Sequence, residues 1–171
     1  MTAETLLPAD PPRPATDHEP EAVTRLRREA LSALEEAAPE ALGRLRADPE
    51  LAADLERVAP ASEFVVRALT ARPDLLGELV DSGDLGRAYD EGEYARRVEQ
   101  ALAEAADDNA LGVALRRLRR REMVRIIWRD LAGRAELDAT TLDLSAFAEA
   151  CIDGALARLE TWQRSEMGTP M

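Results

Sequence analysis

Residues 115–133, LRRLRRREMVRIIWRDLAG, decide how the rest of the chain is read. The stretch contains no proline and no glycine before Gly133, and it is dominated by good helix formers, so it reads as one long helix that Gly133 closes. At 3.6 residues per turn its apolar residues do not share a face. Leu111, Ala114, Leu115 and Leu118 form a stripe in the first half, whereas Met123, Val124, Ile127, Trp128 and Leu131 cluster on roughly the opposite side in the second. A helix patterned this way changes partners midway. The first stripe is continued after Leu118 by Glu122, Arg125 and Arg129, at spacings that keep them on that face. Such a row is either a solvated face beyond the edge of the core or a docking surface for something polar. An internal partner is the third possibility, because acids within Glu29 to Glu40 or Glu91 to Asp108 could neutralise the arginines inside the fold.

Working outward, the chain has 171 residues, 46% hydrophobic and 33% charged, enough to bury a real core in one domain or two small helical lobes. The formal net charge of −12 argues against nonspecific nucleic-acid binding, which needs a positive surface. All 22 basic residues are arginine. The single cysteine, Cys151, excludes an internal disulfide and a cysteine-based metal cluster. The first twenty residues carry neither a secretory signal nor a membrane anchor, and no later apolar run approaches spanning length, so a cytoplasmic protein without a membrane partner is expected.

Residues 1–19 are rich in proline and acid and read as a disordered tail, which also holds the only histidine, His18. From there the pattern is helical. Residues 20 to 38 keep one apolar face and end at Pro39. Asp48 with Pro49, Ser62, and Pro73 each open a short helix, and Gly83 closes the last of these. Asp84 to Gly92 is the most loop-like interior stretch, and a helix from Glu93 to about Ala106 follows. Asp107 to Asn109 can cap the arginine-rich helix, Asp138 to Thr141 the final one. In that final helix Leu144, Phe147, Ala148, Cys151, Ile152, Ala155 and Leu159 hold helical spacing, which makes Cys151 a core residue, and Gly154 signals close helix packing. No alternating strand pattern occurs, so the fold class is all-α: a bundle of short helices plus two long C-terminal helices.

No catalytic apparatus is visible. Triads built on histidine are excluded within the folded part, and no D-x-D pair, glycine-rich phosphate cradle or metal-ligand spacing is present. Catalytic, cofactor-binding and metal residues are therefore assigned to none of the positions, and Glu122, Arg125 and Arg129 are the candidates for an interdomain interface.

The same residues closely resemble a known family. LRRLRRREMVRIIWRDLAG is similar to the arginine-rich helix that precedes the first catalytic domain of the bacterial bifunctional glutamine synthetase adenylyltransferase/adenylyl-removing enzyme. Ser62, Phe64, Pro73, Leu75 and Leu76 resemble that family's upstream segment, and Gly168, Thr169 and Pro170 its G-T-P element. The resemblance spans roughly residues 20 to 170. It implies an enzyme that adenylylates a tyrosine of glutamine synthetase with ATP and magnesium, or removes the group with phosphate, under control of a PII signalling protein, with this end on the removing side. The family's metal- and nucleotide-holding residues lie beyond the G-T-P element, and no residue here matches them. The chain is thus expected to be the helical segment, residues 20–171, that precedes a nucleotidyltransferase domain, or else a non-catalytic module that binds glutamine synthetase or a PII protein.

Overall fold

The computed structural model describes residues 20–167, all in helices and their connections. The expected tail with His18 and the G-T-P element lie outside these residues. Eight helices follow one another: α1 (Glu21–Ala37), α2 (Pro39–Ala47), α3 (Pro49–Ala61), α4 (Glu63–Ala71), α5 (Pro73–Asp81), α6 (Glu93–Leu102), α7 (Asp108–Leu131) and α8 (Leu137–Met167). Among the described residues there is no strand, as the sequence pattern requires.

The first five helices abut, each pair separated by a single residue, and proline chemistry explains three of the breaks. A residue that precedes proline is pushed out of the α region. Ala38, Asp48 and Arg72 have ψ of 55°, 115° and 82°, and the following Pro39, Pro49 and Pro73 each start a new helix, where a missing N–H costs nothing. Residues 39–47, given no helix of their own by the sequence pattern, form α2 for this reason: Pro39 is a start as well as a stop. Asp48 accepts from the backbone N–H of Glu50 at 2.9 Å, and Ser62 accepts from that of Val65 at 3.3 Å, so both expected caps form. Pro60 sits inside the last turn of α3 and cannot donate to the Glu56 carbonyl; the Arg27 side chain donates to that oxygen instead, at 3.2 Å.

The apolar residues fall into two clusters. The first gathers Leu34, Leu42, Leu45, Leu55, Val58, Leu69 and Leu76 from α1–α5, together with Leu85 and with Val124, Trp128 and Ala132. The second gathers Tyr94, Val98, Leu102, Leu111, Leu118, Ile126, Phe147 and Ala150 from α6, α7 and α8. Thus α7 does change partners midway. Its first half belongs to the second cluster, and Val124, Ile127, Trp128 and Leu131 of its second half turn to the first.

Two expectations at the C-terminal end need correction. α8 begins at Leu137, ahead of the expected cap at Asp138 to Thr141, because Gly133 turns the chain at φ +73° and the Thr140 N–H already bonds the Glu136 carbonyl at 2.9 Å. Asp138 lies instead in the first turn, where a carboxylate suits the positive helix end. Of the apolar positions expected to face the core, Phe147 is buried and Cys151, Ala155 and Leu159 are half-buried, but Leu144, Ala148 and Ile152 are exposed, since α8 packs on α6 and α7 along one side only. Gly154 behaves as anticipated: a Cβ there would come within 2.5 Å of Val98 Cγ1, so α6 and α8 approach as closely as they do because it has none. Burial raises the pKa of the Cys151 thiol, in keeping with a packing role.

Candidate functional site

Where the two clusters meet, α7 presents not apolar side chains but Arg121, Glu122, Arg125 and Arg129, all at least largely buried. They are matched by the segment between α5 and α6 and by one residue of α8. Leu85 anchors that segment in the first cluster, which draws Asp84 completely out of solvent. Three guanidinium groups converge on it: Arg97 at 2.8 Å, Arg87 at 2.9 Å, and Arg121. Burial pushes the Asp84 pKa up, but Arg121 and Arg97 outweigh it and the net shift is downward. Glu93, at the start of α6, accepts from Arg87 at 2.9 Å and from Arg97 Nε at 3.1 Å. The Arg87 hydrogen bond leads in holding its pKa down to about 2.

Tyr89 occupies the centre. The Arg125 guanidinium carbon lies 3.3 Å from its ring centroid and that of Arg97 4.3 Å, so cations lie against the ring. Tyr94 meets Tyr89 edge-on at 5.0 Å and Phe147 at 5.6 Å, linking the polar cluster to the second apolar one. The Tyr89 hydroxyl receives a bond from Arg121 at 3.0 Å and has one proton to give, to Asp84 at 3.1 Å or Glu122 at 3.4 Å. Burial raises the pKa of both tyrosines, so they stay neutral donors.

Arg125 is fully buried and donates to the Tyr94 hydroxyl at 3.1 Å, to the Arg87 carbonyl at 2.9 Å, and to Asp143 of α8 at 3.4 Å. Arg129 shares Asp143 at 3.1 Å and reaches the Arg134 carbonyl at 3.3 Å. Burial, with Arg125 next to it, lowers the pKa of Arg129. Glu122 accepts from Arg121, but its Oε2 has no partner among the described residues, and burial raises its pKa.

This arrangement corrects the reading of Glu122, Arg125 and Arg129 as a face held open for another domain. All three are buried against their own chain. The physical reason is the supply of counter-charge: Asp143 pairs with Arg125 and Arg129, and Arg121 with Asp84 and Glu122, whereas Glu93, from the Glu91 to Asp108 segment, pairs with Arg87 and Arg97 and with no residue of α7. Glu35, in the other acidic segment considered, pairs with Arg46 at 2.6 Å, away from the cluster. Asp84, Tyr89, Tyr94 and Asp143 carry as much of the site as the arginines do, and sequence reasoning assigned them no role. Their contacts with α7 span 14 to 37 residues and leave no spacing signature; the only signal is a pair of tyrosines among acids in and just after the loop.

Chemically the cluster joins parts of the fold, because each carboxylate in it is held by arginine. Among the described residues no three metal-ligating side chains converge. The exposed arginines of α7, Arg116, Arg119 and Arg120, lie outside it, and Arg117 pairs with Glu78 at 2.8 Å.

An all-α domain whose long arginine-rich helix bridges two apolar clusters through buried ion pairs is the class defined so far. The family model described as glutamate-ammonia ligase adenylyltransferase matches residues 52–171, and the chain belongs to that family. It is similar to bifunctional glutamine synthetase adenylyltransferase/adenylyl-removing enzymes from Nitrosococcus oceani, at 49% identity over 64% of this chain and 11% of the relative, and from Pseudomonas aeruginosa, at 43% over 84% and 14%. A third, from Pseudomonas syringae pv. tomato, is 40% identical over 86% of this chain and 15% of its own length. The chain therefore spans only a small part of the curated relatives it matches. No solved structure matches it.

Proposed function

We propose that this chain is the helical scaffold of an enzyme that adenylylates and deadenylylates a tyrosine of glutamine synthetase, and that it is inactive without the rest of the family polypeptide. The observation that carries this reading is the family match over residues 52–171, which includes the whole of α7 with its two-faced pattern. Among the described residues no three metal-ligating side chains converge to hold the magnesium of such an enzyme. Asp84, Glu93, Glu122 and Asp143 are each paired with arginine, and the unpartnered Glu122 Oε2 is buried among them. Nucleotide chemistry belongs to a nucleotidyltransferase domain outside residues 20–171, while this segment supplies a rigid base whose cluster fixes α7 and α8. The setting is cytoplasmic nitrogen regulation with a PII protein as the controlling partner.

A second reading, a non-catalytic module that binds glutamine synthetase or a PII protein, draws support from the exposed apolar residues of α8. Both are tested by assaying glutamine synthetase with ATP and magnesium, and its adenylylated form with phosphate. The chain alone is compared with a family-length polypeptide that contains it. Turnover only in the longer protein is the expected result. Turnover by the short chain overturns the scaffold reading, and binding of glutamine synthetase by a chain that the longer enzyme does not need favours the module.

A further inference from the structure

Five of the exposed large apolar residues belong to α8: Leu137, Leu142, Leu144, Ile152 and Leu156. Three of them fall on one stripe. Leu137, Thr141, Leu144, Ala148 and Ile152 succeed one another at intervals of three or four residues, close to the period of a straight helix, and the exposed stripe runs roughly 22 Å before Ala155 and Leu159, which are half-buried, Leu159 against the second cluster. Leu156 borders it. Ile152 is 59% exposed and Leu156 54%, so the stripe is apolar surface left in water. Its polar members make little demand on solvent: the Thr141 hydroxyl donates to the Leu137 carbonyl at 2.9 Å, and that of Ser145, alongside, donates to the Thr141 carbonyl at 3.0 Å. The opposite side of α8 is already occupied by α6 and α7.

The charge beside the stripe is one-sided. Asp138, Glu149 and Asp153 are exposed along one edge, while Glu160, further along it, is paired with Arg164 at 3.3 Å. A hollow next to Leu142, between α8 and the start of α6, adds Asp90 and Glu91 to that edge. An antiparallel pairing of two copies through α8 would set acidic edge beside acidic edge, and the net charge of −12 opposes self-association further. A helix with leucine-type residues on one face and arginine or lysine beside them meets both demands at once.

We propose that the outer face of α8 is the docking site for a basic amphipathic helix of a partner protein. The inference does not depend on the catalytic reading above. The partner's apolar face covers Leu144, Ala148, Ile152 and Leu156, and its cations lie against Asp138, Glu149 and Asp153.

The test uses a fluorescently labelled synthetic peptide of three heptads, leucine and alanine on one face and arginine on its flanks, with a counterpart carrying glutamate in place of arginine. The arginine peptide binds the chain saturably, its affinity falls about tenfold or more on going to high salt, and the glutamate peptide does not bind. The double variant Ile152→Ser/Leu156→Ser keeps its circular dichroism and melting temperature, since both positions are exposed, and loses binding about tenfold or more; Leu26→Ser on α1, also at an exposed leucine, binds as the parent does. Equal binding by the double variant, or by the glutamate peptide, overturns the proposal. Concentration-dependent dimers in sedimentation that the double variant abolishes would assign the face to a second copy instead. A family-length polypeptide that binds no peptide, and in which hydrogen exchange shows residues 137–159 covered, would assign it to the same chain.

Discussion

Asp84, beside α7, and Glu122, on it, are both carboxylates with no solvent exposure, and their surroundings act in opposite directions. Asp84 faces Arg87, Arg97 and Arg121, and its pKa falls; Glu122 has one strong partner and an unpaired oxygen, and its pKa rises. Asp84→Asn removes the charge that three guanidinium groups share and should cost roughly 3–5 kcal/mol in urea denaturation, the range for a buried pair that loses one member. Glu122→Gln deletes a charge that burial opposes and should change stability by about 1 kcal/mol or less at neutral pH. Equal losses would contradict the assignment. Glu93 gives the pH dependence. Its folded pKa, about 2, lies below the ordinary 4.5, so the stability that it contributes is complete above about 4.5 and disappears as pH falls through 2. Glu122 has the opposite sign, because a raised carboxylate pKa favours the protonated native state and its contribution grows as the solution is acidified. The urea midpoint of Glu93→Gln should therefore be lower than that of the parent at pH 7, and the difference should shrink steadily between pH 4.5 and 2.

Helices carry their information locally, and this is why so much of the element scale was legible. Gly83 and Gly133, both at positive φ, close α5 and α7 as read, and the Asp107 side chain caps α7 by accepting from the Ala110 N–H at 2.7 Å. What local pattern cannot say is which partner covers a face. Leu144 and Ile152 have the same spacing as buried residues, and only the placement of α6 and α7 shows that they lie outside. The row Glu122, Arg125, Arg129 looks solvated for the same reason: Asp143 of α8, which pairs with both arginines, is tied to it by no periodicity, and Glu122 is matched by its neighbour Arg121. Gly154 was the one long-range contact the sequence signalled, because a glycine inside a long helix weakens it unless something requires the space. Gly154→Ala should destabilise by roughly 1–3 kcal/mol despite the better helix propensity of alanine, since its Cβ would overlap Val98. Val98→Ala should recover part of that loss in the double variant; a Gly154→Ala protein with unchanged melting temperature would mean that α6 and α8 are not in contact there.

At the scale of the whole molecule, α6 and α8 make their main helix contacts with each other and with α7, whereas α1 to α5 pack among themselves and on α7. The two clusters are therefore coupled through α7 and the segment that carries Asp84 and Tyr89. Near its end α7 is clamped to α3, where Arg57 donates to the Ala132 carbonyl and Arg134 pairs with Asp54 and Glu50. On the other side, Arg125 alone touches the Arg87 carbonyl, Tyr94 of α6 and Asp143 of α8. Native-state hydrogen exchange can measure this coupling, because residues that open in one cooperative unit share one opening free energy. In the parent, the amides of Leu55 and Val58 in α3 should open with the same free energy as those of Val98 and Leu102 in α6. Arg125→Met keeps much of the volume but severs the three bonds, and Arg129 remains to hold Asp143. The α6 amides should then open roughly 2–4 kcal/mol more easily than those of α3, with both helices still formed by circular dichroism. If the two sets fall together, the helices form one core to which the arginine cluster adds only stability. If they are already separate in the parent, α7 is a passive spine, and a base that transmits position from α1–α5 to α8 must do so by some other contact.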